Sequence, residues 1–138
     1  MCYCVYIATI EPQEKSTFIP NETELYLEEP IQKELEDLRD KFSNPHIYYV
    51  GSYTNCSCGF DLPSDQLENP VWEDAKRSVA RLIDLIKLKS RWGNLEFYCC
   101  WAGNTASAVE EHVHLKAGST SLDSYFGLTE NQLIIFEA

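Results

Sequence analysis

The sequence is short of positive charge: 11 Lys and Arg face 22 Asp and Glu over 138 residues, a formal net charge of -11. A surface of that sign repels phosphate backbones and anionic lipid headgroups, which argues against nucleic acid and membrane partners. No apolar run approaches the ~20 residues that a bilayer-spanning helix needs. The start, Met1-Cys2-Tyr3-Cys4-Val5, lacks the basic and long apolar regions of a secretory signal, and the end lacks a prenylation box, so a cytoplasmic location is expected. There is no internal repeat, no glycine-rich phosphate loop after a strand, no C-x-x-C and no G-x-S-x-G. Solenoids, nucleotide-binding α/β folds, thioredoxin-type redox sites and serine-hydrolase elbows therefore lack their signatures.

What is there reads as one α+β domain spanning 1–138. Residues 2–9 are apolar or aromatic on both alternating sets, which predicts a central strand covered on both faces. Residues 11–29 are polar and broken by Pro12 and Pro20, with Leu25-Tyr26-Leu27 as a short edge strand. Pro30 opens a helix whose apolar stripe is Ile31, Leu35, Leu38 and Phe42. A strand follows over 46–53, then a long loop to Glu68.

The second helix is the best-marked element. Asn69 caps it, Pro70 takes the first position, acids precede bases along it and Gly93 stops it. Its stripe of Trp72, Ala75, Val79, Leu82, Ile83 and Ile86, widened by Leu85, Leu88 and Trp92, supplies much of the expected core. Three strand-like runs close the chain, 95–101, 112–116 and 132–137, with a helical turn expected near Ser121 to Phe126. This order predicts a two-layer α+β fold: a mixed, mostly antiparallel sheet of about five strands with both helices on one face.

Chemistry concentrates in the loop after the second strand. Cys56-Ser57-Cys58-Gly59 presents two sulfurs from a tight turn, and His112 and His114, two apart on a strand, project from one face. Together they would make a Cys₂His₂ set, with zinc as the ion it would take. The same loop is the one setting for a reactive thiol, whereas Cys2, Cys4, Cys99 and Cys100 read as core filler. Any cysteine pairs on paper with a histidine, so no nucleophile and base are assigned and no reaction is expected from the sequence.

Charge is lopsided. Residues 11–40 carry ten acids against three bases, while the second helix, 70–91, carries six bases against three acids. An acidic face built from Glu22, Glu24, Glu28, Glu29, Glu34, Glu36 and Asp37 is what a binder of a basic protein would use. The leading expectation is accordingly a non-enzymatic interaction domain; its size and acidity are similar to those of small bacterial immunity proteins, a similarity of composition alone. The metal or thiol loop is the alternative. A homodimer is also expected, through the β-prone runs 95–101 or 133–136 if either lies at a sheet edge.

Overall fold

The computed structural model describes residues 2–138. Six strands form one sheet: β1 (Tyr3–Thr9), β2 (Leu25–Glu28), β3 (His46–Ser52), β4 (Leu95–Trp101), β5 (Glu111–Lys116) and β6 (Gln132–Glu137). Two helices accompany them, α1 (Gln32–Arg39) and α2 (Glu73–Lys89). The strand order is β2-β3-β1-β4-β6-β5, antiparallel throughout except for the parallel β5–β6 pair. The α+β class and the mixed, mostly antiparallel sheet agree with the sequence reading, with six strands where about five were expected; the short edge strand expected at Leu25–Leu27 is β2, paired with β3 from Leu25↔Ser52 to Glu28↔Tyr49.

β1 is central, as its two apolar faces required. Val5 and Ile7 point to one side and pack with Val50, Phe97, Ile134 and Phe136 under Val79, Leu82, Ile83 and Ile86 of α2. Tyr6 and Ala8 point to the other and pack with Ile47, Tyr98 and Leu133 against Leu38 of α1 and Phe42. The helices thus lie on opposite faces, not on one. The physical reason is the period of the strands: β1, β4 and β6 carry apolar side chains on both alternating sets, and each set needs its own cover. The longer α2 is the second layer proper, and the eight-residue α1 closes only part of the opposite face.

Asn69 does cap: its Oδ1 accepts the Val71 N–H at 3.1 Å, opening a 3-10 turn at Pro70–Trp72 that leads into α2. Trp92, expected to widen the apolar stripe, is instead 81% exposed, because the helix has ended before it. The helical turn expected near 121–126 is only a single hydrogen-bonded turn, the Ser124 N–H donating to the Ser121 carbonyl at 3.1 Å, and the helical geometry lies earlier, in a 3-10 turn at Ala117–Ser119. Residues 117–131 make the crossover from β5 to the parallel β6, and Tyr125, Phe126 and Leu128 pack on the α2-side core. The Tyr125 hydroxyl donates to the Phe60 carbonyl at 2.7 Å, fastening this crossover to the loop after β3. On the α1 side the buried Glu96 carboxylate accepts the backbone N–H groups of Ser43 and Asn44 at 2.7–3.0 Å, which ties the end of α1 to β4. No helix among the described residues is long and apolar enough to cross a membrane.

Candidate metal centre

β1 and β3 run paired from Thr9↔His46 to Val5↔Val50 and then part. Ser57 fills the gap. Its hydroxyl accepts the Val5 N–H at 2.9 Å and donates to the Val50 carbonyl at 2.6 Å, so two backbone groups that have lost their strand partner are satisfied by one side chain. Ser57 is fully buried, and its neighbours Cys56 and Cys58 are left half-buried beside the start of β1.

The loop is held at several further points. Asn55 takes a left-handed conformation (φ 63°), which the tight turn after Ser52 requires and asparagine tolerates. The Ser52 N–H and hydroxyl both donate to the Cys56 carbonyl, at 2.8 and 2.6 Å, and the same hydroxyl oxygen accepts the Gly59 N–H at 3.0 Å. A Cβ on Gly59 would stand 2.3 Å from that oxygen, so only glycine lets the chain pass so close.

Cys2 completes the group. Its carbonyl accepts the Ala102 N–H at 2.8 Å, extending the β1–β4 ladder by one residue, and the Tyr3 and Trp101 rings stack beside it with centroids 4.3 Å apart. The Sγ atoms of Cys2, Cys56 and Cys58 all lie within 4.8 Å of one another. Tetrahedral zinc at about 2.3 Å from each sulfur needs about 3.8 Å between sulfurs, so side-chain rotation of under about 1 Å would close the set. Cys4 faces the α1-side core and is not part of the cluster.

The three sulfurs also perturb one another's acidity. Burial pushes the Cys56 thiol up, but the Thr54 hydroxyl at 3.2 Å, the Cys58 backbone and the Cys58 and Cys2 thiols outweigh it and hold Cys56 below the ordinary thiol range. Burial pushes Cys58 up to about 12, and its neighbour Cys56 adds to the rise. Cys56 is thus the more easily ionised of the pair and Cys58 the less.

The structure brings together two of the four expected metal ligands. Cys56 and Cys58 converge, but on Cys2. His112 and His114 do share a face, yet β5 is the far edge of the sheet, three strand spacings or roughly 14 Å from β1. They are exposed there, with His114 Nδ1 3.7 Å from Glu137. Sequence reasoning missed Cys2 by treating it as filler along with Cys4. The available signal was a second C-x-C, Cys2-Tyr3-Cys4, opening a strand that had to be central. Cys99 and Cys100, by contrast, are core residues as expected, at 1% and 0% exposure on opposite faces of β4.

The seven acidic residues are spread over both faces. Glu24 pairs with Arg81 of α2 at 3.0 Å, Glu29 with Lys15 at 3.3 Å and Asp37 with Lys33 at 3.8 Å. Glu34 accepts the Tyr6 hydroxyl at 2.9 Å on the α1 side, Asp37 also accepts the Thr105 hydroxyl at 2.6 Å, and Glu36 accepts from Gln32 at 3.2 Å. Glu22 and Glu28 are exposed. Comparison with protein-family models, curated proteins and solved structures finds no match to this chain.

Proposed function

We propose that the protein binds one soft divalent metal ion, zinc by its ligand chemistry, through the thiolates of Cys2, Cys56 and Cys58. The observation that carries this is the convergence of three sulfurs from two distant chain segments to within 4.8 Å. A redox pair needs two sulfurs; a third, on a separate strand, is what a metal adds to the requirement. Thiolate donors favour zinc and other soft ions over magnesium or calcium, and an acidic molecule attracts cations. Three protein ligands leave a fourth position for water or an incoming donor, which distinguishes this centre from a closed four-ligand structural site. Because thiols must lose their protons to bind, uptake releases protons and strengthens as pH rises toward neutrality and above.

Cobalt is the direct probe. Titrating the metal-free, reduced protein with Co²⁺ should produce sulfur-to-cobalt charge-transfer absorption that saturates at one equivalent and is bleached by zinc. Cys2→Ser, Cys56→Ser and Cys58→Ser should each remove most of it, while His112→Ala and His114→Ala leave it unchanged. A flat titration overturns the reading. If in that case Cys56 also alkylates much faster than the other five cysteines, the cluster is a reactive thiol site instead.

A further inference from the structure

We propose that the chain pairs with a second copy of itself through β5, the two strands running antiparallel about a two-fold axis at Val113 so that one sheet continues through both molecules. The sheet has two edges, β2 and β5. β2 is four residues long, and the segment before it lies alongside, with the Ser16 N–H donating to the Leu27 carbonyl at 2.9 Å. β5 is the longer and more open edge, and its charged residues Glu111 and Lys116 are the edge protection it carries. It is six residues long, free of proline, glycine and bulges, and in unbroken register with β6 from Glu111↔Gln132 to Lys116↔Glu137. Among the described residues no other strand or loop backbone hydrogen-bonds to it. The runs 95–101 and 133–136, expected from sequence as pairing edges, are the interior strands β4 and β6.

Charge selects both the partner and the register. A two-fold axis perpendicular to a sheet keeps each side chain on its own face, so a residue opposes one of the same parity. Glu110 continues the strand backwards, its N–H donating to the Asn131 carbonyl at 2.9 Å, and it shares a face with His112, His114 and Lys116. Centred on Val113, the pairing sets Glu110 opposite the second copy's Lys116 and His112 opposite its His114, each twice by symmetry. On the other face Val113 meets its own copy and Leu115 stands opposite the second copy's Glu111, beside the groove formed with Phe126 and Ile134. Moving the centre to His112 or His114 sets Lys116 opposite Ala108 or His112 and loses both Glu–Lys pairs. Of these three registers only the one centred on Val113 sets Glu110 opposite Lys116, whose ammonium also reaches its own Glu137 at 3.1 Å.

A charge swap tests this. In a dilution series followed by sedimentation equilibrium, the parent chain should rise from 15.9 kDa toward twice that mass. Glu110→Lys alone places lysines opposite each other, and Lys116→Glu alone places glutamates opposite each other; each should weaken association by about tenfold or more, from two reversed cross-strand pairs. An equimolar mixture of the two variants restores both Glu–Lys pairs and should dimerise like the parent. Circular dichroism melts check that each variant is folded. A parent of constant 15.9 kDa mass, a dimer indifferent to either substitution, or a mixture that stays monomeric overturns the proposal.

Discussion

The hydroxyl of Ser57 stands where a neighbouring strand's backbone would otherwise be, and the positions of Cys56 and Cys58 depend on it. Ser57→Ala leaves the Val5 N–H and the Val50 carbonyl unpaired in a fully buried place. The expected cost is about 1–3 kcal/mol per orphaned group, read as a lowered midpoint in urea, together with weaker cobalt uptake. Gly59→Ala should also destabilise, by at least about 1 kcal/mol, because the new methyl meets the Ser52 hydroxyl and that hydroxyl is committed to the Cys56 carbonyl. Gly118→Ala is the internal comparison: nothing lies within 4 Å of its Cβ, and its unfolding midpoint should match or slightly exceed the parent's.

At the scale of elements, α2 is both the main cover of the sheet and the element with the most explicit local signals. Asn69→Ala removes the acceptor for the Val71 N–H and should cost about 1 kcal/mol. Leu82→Ala, at a fully buried position in the α2-side core, should cost about 2–5 kcal/mol, whereas Trp92→Ser, at the exposed end, should change stability by less than about 0.5 kcal/mol. Chemical denaturation of the three variants ranks them. Elements such as α2 were legible because capping, charge gradient and apolar period are written within one stretch of chain. The same was true of β1, whose two apolar faces announced a central strand. The side of the sheet each helix covers was less legible, since it depends on how β1, β4 and β6 share their two faces. The metal centre was half legible: the C-x-C loop stands out, but its partner is decided by β1 parting from β3 at Val5, a feature of pairing between segments distant in the chain that no local pattern records.

At the scale of the whole molecule, burial raises nearly every thiol and phenol that the fold perturbs. Burial pushes Cys100 from an ordinary 9.0 up to about 12, and raises Cys99, Tyr6, Tyr49 and Tyr98 above their usual ranges as well. The folded chain therefore holds these protons more tightly than the unfolded chain. Their contribution to stability is complete below about pH 9 and is lost as pH climbs toward about 12. Urea midpoints measured across that interval should fall steadily, and a midpoint that stays level to pH 11 would contradict the burial of these groups. The central place of β1 also sets the order of events during synthesis. Val5 pairs with Val50 on one side and with Cys99 on the other, so β1 is made long before its second neighbour exists. Until β4 emerges from the ribosome, the nascent chain carries a strand with one open edge and apolar side chains on both faces. Closure must then span most of the chain, which places folding among slow, non-local topologies of about milliseconds to seconds.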